Sequence, residues 1–420
     1  MNEIILSRKE SISGEILVPS SKSYAQRAVA LAGLSHGNVV IRRLTDSDDC
    51  IAAQNIIQAI GAEINREGDT LYVKKGIDLN RSENIEINCG ESGLSTRLFS
   101  TFSLLFDQSF TVKGEGSIGI RTMEMVIEGL EQFGKQIESN ESKLPLVISG
   151  GVNKYKIEID GSISSQFLTG LLTVAPFLNS DTEIVVKDLK SKPYIAMTLD
   201  LLKHFGLTCE NDNYQRFSIK GNQTVNQEVD YSVEGDWSAA SFLVVAGAIG
   251  GEMKINGLKK ETHQGDSTIL DAAILAGANV QWNNGVLSIK KDAIRPFNFD
   301  ATECPDLFPP LVVMAAYANG NSTFKGVHRL KHKESDRAIT LQEECKKVGV
   351  RIDINGDEMT VFGTGGPGVD ENVVFSSHND HRIAMAMSLF TIGAKSPLTI
   401  TGASAIDKSY PDFYKDFLTV

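Results

Sequence analysis

Hydrophobic and polar positions along this chain follow a pattern that occurs six times. In each copy a short run of alternating hydrophobicity predicts a β-strand, and a following small-residue amphipathic run predicts a helix. A junction rich in Gly, Ser or Asp joins the two runs. The copies recur about every 70 residues, too long for a common solenoid unit, so each copy should be a whole subdomain. They begin at Glu15, Ile85, Ile157, Tyr231, Phe297 and Val373.

The second half of each copy repeats as well. A second helical run closes on glycine and leads into two alternating runs around a polar turn, as in TLQEECKKVGVRIDINGDEMTVFG. Gly after the last helical turn is the usual C-cap, and the two alternating runs predict a hairpin. Each unit is therefore βαβαββ. The sixth copy ends after its second helix, near residues 412–417, and we expect the N-terminal run, residues 3–7, to complete it.

Six such units in 420 residues predict an α/β (α+β) protein of two globular domains, each of three βαβαββ repeat units. If residues 3–7 complete the last unit, the chain begins in one domain, crosses to the other and returns. The first domain is then predicted at 1–18 and 231–420, and the second at 19–230. We expect the two domains to face one another across an active-site cleft, because clefts between domains commonly bind ligands.

The net charge and the cysteines limit the classes of function and the cellular compartments that fit this chain. The formal net charge is −12, which disfavours binding to nucleic acid or to an acidic membrane surface. Five scattered cysteines without a CxxC pair are typical of a reducing cytoplasm. The start, MNEIILSRKE, lacks the apolar stretch of a signal peptide, and no run of 18 apolar residues occurs. These features predict a cytoplasmic protein.

Basic and hydroxyl side chains concentrate in the junctions, where helices are predicted to begin. Helix N-termini bind anions because their free N–H groups and their dipole point outward. In PSSKSYAQR, Lys22, Ser23 and Arg27 fall in the first turns of one such helix. Alone, this segment slightly favours a capped helix with solvated charges. The junctions GESGLSTR, SISSQ, KHKESDR and NDHR repeat the pattern, and together they predict binding of a ligand with several negative charges.

Two acidic residues among these bases are candidates for proton transfer. Asp306 follows Pro305 and precedes Leu307 and Phe308, whose burial would desolvate its carboxylate and favour a base. An N-cap role for Asp306 fits the sequence as well. Glu334 lies among the basic residues of KHKESDR.

Two further motifs match known sites only in part. GEGSIG fits a dinucleotide fingerprint, but the other junctions lack its glycines, which disfavours a nucleotide cofactor. His378, Asp380 and His381 include two metal-ligand types. Their spacing fits a metal site weakly and no third ligand group stands out, so a capped helix start is preferred.

The motifs, in their order and spacing, resemble the enolpyruvyl transferase family over the whole chain, and its members that act on shikimate 3-phosphate in particular. The resemblance implies transfer of the enolpyruvyl group of phosphoenolpyruvate to the 5-hydroxyl of shikimate 3-phosphate, with release of phosphate, by addition and elimination in the shikimate pathway of aromatic amino acid biosynthesis. It also implies domain closure, a monomer, and no metal or organic cofactor. The motifs are PSSKSYAQR, GESGLSTR, GEGSIGIR, SISSQFLTGLL, SKPYIAMTL, CPD, KHKESDR, NDHRIAM and DKSYPDF.

The resemblance further implies a role for individual residues. Asp306 would take the proton from the 5-hydroxyl, and either Lys22 or Glu334 would protonate the methylene carbon of phosphoenolpyruvate. The residues that match the shikimate 3-phosphate site are Lys22, Ser23, Arg27, Ser164, Ser165, Gln166, Ser191, Tyr194, Asp306 and Lys333. Those that match the phosphoenolpyruvate site are Lys22, Gly93, Arg121, Gln166, Arg337, Arg382 and Lys408.

Four positions depart from the family pattern. Ser20 stands where Gly is common, Glu91 where Asn is, Leu94 where a small polar residue is, and Arg329 where Asn or Glu is. They belong to the expected ligand wall, so the affinity for phosphoenolpyruvate and the sensitivity to its analogue glyphosate stay open. We expect Leu94 to perturb the backbone at Gly93.

Three alternatives compete with this interpretation. The sister enolpyruvyl transferase that uses UDP-N-acetylglucosamine usually has a Cys in the loop that matches residues 113–121, and none occurs here. A catalytically inactive anion-binding scaffold is disfavoured because every expected ionisable residue is present. An RNA-end-processing relative is disfavoured by the acidic charge and by the lack of interleaved basic and aromatic residues.

Overall fold

The chain folds into two compact units in the computed structural model. The terminal unit contains Met1–Ser21 and Glu234–Val420, and the central unit contains Lys22–Val233. The predicted domain boundaries, after residues 18 and 230, lie a few residues before these divisions. The structure describes residues 2–162, 164–331, 333–366 and 372–420, so Ile163 and His332 of two predicted junctions lie outside it.

The terminal unit begins with two strands, β1 (Glu3–Leu6) and β2 (Ile12–Leu17). The central unit follows with α1 (Lys22–Gly33), β3 (Val39–Arg42), α2 (Asp48–Ala59), β4 (Glu63–Glu67), β5 (Thr70–Lys75), β6 (Ile85–Asn88), α3 (Gly93–Ser100), β7 (Phe110–Lys113), α4 (Glu124–Gln132), β8 (Gln136–Asn140), β9 (Lys143–Ser149), β10 (Lys156–Asp160), α5 (Gln166–Val174), β11 (Thr182–Lys187), α6 (Lys192–His204), β12 (Glu210–Asp212), β13 (Arg216–Ile219) and β14 (Val229–Ser232). Its 3₁₀ turns are Thr101–Leu105, Gly116–Ile120 and Ala175–Phe177.

The terminal unit then continues with α7 (Trp237–Gly250), β15 (Gly251–Asn256), α8 (Ile269–Leu275), β16 (Asn279–Asn283), β17 (Val286–Lys290), β18 (Asn298–Asp300), α9 (Phe308–Ala316), β19 (Asn319–Lys325), α10 (Arg337–Lys346), β20 (Arg351–Asn355), β21 (Glu358–Thr364), β22 (Val373–Ser376), α11 (His381–Leu389), β23 (Leu398–Thr401) and α12 (Phe413–Thr419). Its 3₁₀ turns are Gly265–Thr268, Pro305–Leu307, Val327–Arg329 and Ala403–Lys408.

Each unit contains three sheets among its described residues, and they confirm the predicted βαβαββ pattern. In the sheet β6-β7-β9-β8, β6 and β7 are parallel while β9 is antiparallel to both β7 and β8. A parallel pair needs a crossover helix, and an antiparallel pair closes with a short hairpin, so the topology follows from the element order. The sheets β10-β11-β13-β12 and β18-β19-β21-β20 repeat it. In the sheet β1-β23-β22, β1 lies antiparallel to β23.

Two strands pair outside the copy in which the sequence pattern groups them. The sequence groups β2 with α1 and β14 with α7. In the structure β2 lies parallel to β15, in the sheet β16-β17-β15-β2, and β14 lies parallel to β3, in the sheet β14-β3-β5-β4. The grouping is wrong because alternating hydrophobicity shows that a strand forms and not which sheet it joins. This exchange is where the chain passes from one unit to the other.

Three apolar helices, one following the first strand of each copy, pack together inside each unit. In the terminal unit α7, α9 and α11 contact one another, and every residue of α9 and α11 is buried. In the central unit α1, α3 and α5 make the same arrangement. A helix that is apolar on all sides is stable only when neighbours cover it, which these trios provide. No helix in the described parts of the chain combines the length and the apolar character needed to cross a membrane.

Candidate active site

The helix starts of the central unit are joined by buried side chains. Gln26 Oε1 accepts hydrogen bonds from Ser92 Oγ at 3.0 Å and from Ser95 Oγ at 2.9 Å, which ties α1 to the start of α3. Arg97 Nη1 donates to Gln166 Oε1 at 3.0 Å, which ties α3 to the start of α5. The junctions that the sequence predicts to bind anions therefore lie together. We call Lys22, Ser23, Arg27, Gly93, Arg97, Arg121 and Gln166 the central cluster.

Arg27 is a buried cation within this cluster. Its side chain is bonded to neutral oxygens: Nε to Thr198 Oγ1 at 3.0 Å and Nη2 to Thr169 Oγ1 at 3.2 Å. Nη1 donates to the carbonyl of Ser23 at 2.7 Å. Burial lowers its pKa to about 10, and no described carboxylate forms an ion pair with it. A buried charge without a protein counter-ion favours an anion nearby.

Two guanidinium groups and an amide converge on Gly93. A Cβ added at Gly93 would lie 3.1 Å from Arg97 Nη1, 3.2 Å from Arg121 Nη1 and 3.6 Å from Gln166 Oε1. Arg121 also donates through Nη2 to Ser117 Oγ at 3.2 Å, and its buried Nε has no hydrogen-bond partner among the described residues. Arg97 was not among the predicted site residues, although its place as a basic residue in the junction GESGLSTR indicates anion binding.

The remaining central residues lie close to this cluster. Lys22 Nζ pairs with Asp49 Oδ2 at 3.0 Å. Ser164 Oγ accepts from the Gln166 N–H at 3.2 Å, and Ser165 is buried at the start of α5. The carbonyl of Tyr194 accepts from Arg27 Nη2 at 3.3 Å. Ser191 is buried at the start of α6 in a left-handed conformation, with φ 57°.

Arg337 is the centre of a second, denser group of charges in the terminal unit. It is completely buried and bonds to three carboxylates: Nη1 to Asp306 Oδ1 at 2.6 Å, Nη2 to Glu334 Oε2 at 2.5 Å, and Nε to Asp380 Oδ2 at 2.7 Å. Burial alone would lower its pKa, but these carboxylates hold the pKa well above its usual value. Arg337 is therefore not part of a solvated helix surface. We call Asp306, Lys333, Glu334, Arg337, Asp380 and Arg382 the terminal cluster.

Asp306 is surrounded by cations. Besides Arg337, its carboxylate lies 3.1 Å from Lys333 Nζ and 3.2 Å from Arg382 Nη2. Burial would raise the pKa of Asp306, but Arg382, Lys333 and Arg337 together hold it well below its usual value. The expectation that apolar neighbours set this pKa is wrong in direction, because cations distant in sequence outweigh burial. The N-cap alternative is also wrong: Asp306 lies inside the turn Pro305–Leu307, and α9 begins after Leu307.

The remaining cations lie beside the loop between β22 and α11: Arg382 is in α11 and Lys408 is in the turn Ala403–Lys408. The Arg382 side chain is buried, with Nη1 2.6 Å from His381 Nε2 and Nη2 bonded to Ser238 Oγ. Lys408 is also buried, and its Nζ donates to the Asn379 carbonyl at 2.9 Å. His378 pairs with Glu344, so these histidines hold protein partners. Within the described residues, no three His, Cys, Asp or Glu side chains are arranged to hold a metal ion.

Of the four residues that depart from the family pattern, Glu91 has a defined contact. Glu91 Oε2 accepts from the Ser117 N–H at 3.1 Å and so holds the turn that carries Arg121. Ser20, Leu94 and Arg329 are buried. The effect of Leu94 on the Gly93 backbone stays a prediction.

Asp266 is a buried acid that the sequence did not single out. Burial, and next the charge of Asp306, raise its pKa to about 7. Its carboxyl group shares the Ser238 hydroxyl with Arg382, and its Oδ1 has no partner among the described residues. Nothing in the local sequence QGDS distinguishes Asp266 from a surface aspartate, because its neighbours in space come from other copies.

Replacing Asp266 by Asn should stabilise the protein more at pH 8 than at pH 5. Because the pKa is raised in the folded protein, the protonated carboxyl contributes its full stability below the pKa of the unfolded chain, near 3.8. That contribution is lost as the pH rises through about 7. An amide cannot ionise, so the free energy of unfolding of D266N should exceed that of the wild type by on the order of a few kcal/mol at pH 8 and by less at pH 5. Urea unfolding at both pH values measures this, with the exposed Asp292→Asn as control. An equal change at both pH values would contradict it.

Comparison with known proteins places this chain among enzymes that act on shikimate 3-phosphate. The family model described as EPSP synthase (3-phosphoshikimate 1-carboxyvinyltransferase) matches residues 6–417. The 3-phosphoshikimate 1-carboxyvinyltransferase of Clostridium novyi (strain NT) is 36% identical over 421 residues, covering 97% of this chain and 94% of the relative. That of Klebsiella pneumoniae subsp. pneumoniae is 32% identical over 427 residues, covering 100% of this chain and 99% of the relative.

Solved structures share the fold. EPSP synthase from Acinetobacter baumannii superimposes with a TM-score of 0.80 at 23% identity, covering 98% of this chain and 96% of that one. The enolpyruvyl transferase NikO from Streptomyces tendae gives a TM-score of 0.76 at 16% identity, covering 99% of this chain and 97% of that one. At these identities the structural likeness establishes the fold alone.

Proposed function

Since the chain belongs to the EPSP synthase family, it transfers the enolpyruvyl group of phosphoenolpyruvate to the 5-hydroxyl of shikimate 3-phosphate, and we propose that the central and terminal clusters bind these substrates. The observation that carries this assignment is Asp306, a carboxylate whose side chain is 14% exposed and which three cations hold. A carboxylate can accept the proton of the 5-hydroxyl, and the surrounding cations can hold the anionic phosphoenolpyruvate that this hydroxyl attacks.

Shikimate 3-phosphate is assigned mainly to the central cluster. Arg27 supports this because it is buried without a carboxylate partner among the described residues. The hydroxyl groups of Ser23, Ser164 and Ser165, at or next to the starts of α1 and α5, are of the kind that bind phosphate and hydroxyl oxygens. The complete assigned set is Lys22, Ser23, Arg27, Ser164, Ser165, Gln166, Ser191, Tyr194, Asp306 and Lys333.

Phosphoenolpyruvate is assigned to a set made mostly of cations: Lys22, Gly93, Arg121, Gln166, Arg337, Arg382 and Lys408. An anion that draws Arg382 and Arg337 toward itself weakens their hold on Asp306. The pKa of Asp306 then rises, so binding of the second substrate would itself prepare the base. Fixed cations also stabilise charge that develops on the transferred group, and they do so without reorganisation.

The reaction balances with these residues. Asp306 accepts the hydroxyl proton as the 5-oxygen bonds to C2 of phosphoenolpyruvate, while Lys22 or Glu334 delivers a proton to the methylene carbon. In the second step the bond from C2 to the phosphate oxygen breaks. The new methyl group returns a proton to the group that donated it, and the phosphate leaves with the proton held by Asp306, which yields the enolpyruvyl ether and phosphate and restores both residues. Lys22 pairs with Asp49, which positions its ammonium group as a donor, whereas Glu334 pairs with Arg337 as a carboxylate and must take up a proton before it can donate one.

Replacing Gly93 by Ala should weaken phosphoenolpyruvate binding selectively. The added methyl would meet Arg97 and Arg121 at 3.1 and 3.2 Å, closer than ordinary van der Waals contact, and would displace their guanidinium groups. We expect the KM for phosphoenolpyruvate to rise by about tenfold, with that for shikimate 3-phosphate little changed. Gly119→Ala is the matched control, because a Cβ there meets no atom within 4 Å. Equal kinetics of the two variants would contradict the assignment.

The acceptor can be tested by phosphate release from phosphoenolpyruvate. Release that requires shikimate 3-phosphate supports the proposed function. Release with UDP-N-acetylglucosamine instead would favour the sister enzyme, and binding without release would favour an inactive anion-binding scaffold. We also propose a cytoplasmic monomer; the free thiols of all five cysteines support the reducing compartment.

A further inference from the structure

The loop between β22 and α11 contains two strained residues in succession. His378 has φ 49° and Asn379 has φ 57°, and neither is glycine. Consecutive left-handed residues of this kind persist only where their surroundings fix them. The loop is short and is followed at once by Asp380, His381 and Arg382, so its conformation decides where those side chains lie.

Glu344 of α10 anchors this loop. It is 2% exposed, and its Oε1 lies 2.7 Å from His378 Nε2. Its Oε2 accepts from the Ser376 N–H at 3.0 Å, so one carboxylate holds both ends of the turn. Lys347 lies 2.8 Å from the same carboxylate and also donates to the Val374 carbonyl at 3.1 Å. The buried charge of Glu344 is thereby paired, as a buried carboxylate must be.

The same loop lies next to the three cations of the terminal unit that are assigned to phosphoenolpyruvate: Arg337, Arg382 and Lys408. The carbonyl of Asn379 accepts from Lys408 Nζ at 2.9 Å. The carboxylate of Asp380 accepts from Arg337 Nε at 2.7 Å and from the Arg382 N–H at 2.9 Å. Asn379 and Asp380 therefore bond to the side chains of Lys408 and Arg337 and to the backbone of Arg382, so a rotation of the loop would move all three residues.

We propose that His378 and Glu344 form a positioning pair that sets Arg337, Arg382 and Lys408 for phosphoenolpyruvate. Neither residue touches the substrate in this account; both act through the backbone of the loop. The inference rests on the proposed function, which assigns those three cations to that substrate. Its distinguishing consequence is selectivity, because the anchors of this loop given above belong to the terminal unit, whereas shikimate 3-phosphate is assigned mainly to the central cluster and its binding should change little.

Two substitutions of His378 by amide side chains distinguish the effect of losing the bond to Glu344 from the effect of the left-handed backbone. The amide nitrogen of Gln lies where Nε2 of His lies, so His378→Gln keeps the donor to Glu344. Asn accepts the left-handed conformation readily but is too short to reach Glu344. We expect His378→Asn to raise the KM for phosphoenolpyruvate by about tenfold, with the KM for shikimate 3-phosphate changed less than about twofold. His378→Gln should remain within about threefold of the wild type for both substrates.

His328→Ala is the matched control, because His328 also pairs with a carboxylate, Asp357, in the same unit, but both side chains are half exposed. It should leave both KM values unchanged. A purely structural role predicts instead that His378→Asn lowers the melting temperature and kcat with both KM values unchanged, and this result would overturn the inference. Equal behaviour of the Asn and Gln variants would overturn it too. Absence of acceptor-dependent phosphate release in the wild type would overturn the proposed function, and the inference with it.

Discussion

Replacing Asp306 by Asn should lower kcat by a factor of about 10² to 10⁴ while shikimate 3-phosphate still binds. Asn has nearly the same shape and leaves the three surrounding cations in place, but it cannot accept the hydroxyl proton. The loss should therefore appear in turnover and not in binding of the acceptor. Phosphate release measures the first quantity, and calorimetric titration with shikimate 3-phosphate measures the second.

Asp300→Asn is the control for this experiment. Asp300 lies in the same unit, is exposed, and accepts a hydrogen bond from the Thr302 N–H at 3.0 Å. It should retain wild-type turnover. Unchanged kcat in Asp306→Asn would remove Asp306 from the role of base, and loss of acceptor binding would show that its contribution is to the site's structure.

Replacing Arg337 by Gln should have the largest effect on stability. The substitution leaves Asp306, Glu334 and Asp380 without their shared cation, and Asp380 is fully buried. Removing one partner of a buried ion pair costs about 3–5 kcal/mol, because the remaining charges stay desolvated and repel one another. Urea unfolding should show this loss, and phosphoenolpyruvate binding should become undetectable in titrations that saturate the wild type.

A double substitution tests the cause of that loss. Asp380→Asn removes the most buried of the three stranded charges, so R337Q/D380N should be more stable than the sum of the two single losses predicts. The control Arg351→Gln removes an exposed guanidinium paired with Asp353, and it should cost less than about 1 kcal/mol. Additive losses in the double variant would contradict the proposal that stranded carboxylates destabilise R337Q.

The repeating units could be predicted because their signals are local. A strand, a junction and an apolar helix each have a distinct period, and α9 and α11 are buried on every side, as their sequences indicate. The predicted domain boundary after residue 18 places β2 in the correct unit, but the sheets that β2 and β14 join could not be predicted. Both strands have the same alternating pattern as the strands they replace, so either pairing buries the same kind of face.

The candidate site was partly predictable for the same reason. Basic residues in junctions were a sufficient signal for Arg337 and Arg382, and the structure places both beside Asp306. The electrostatic balance was not predictable, since the sequence neighbours of Asp306 are apolar while its neighbours in space are cations. Glu344 and Asp266 were missed because their partners lie on other elements of the fold.

The most direct test of the account is the identity of the product formed from phosphoenolpyruvate and shikimate 3-phosphate. Proton and phosphorus NMR of the reaction mixture would follow the vinyl protons of an enolpyruvyl ether and the signal of free phosphate together. We expect equal amounts of ether and phosphate, and neither when shikimate 3-phosphate is omitted. Phosphate that appears without the acceptor, or with pyruvate in place of the ether, would contradict enolpyruvyl transfer by this chain.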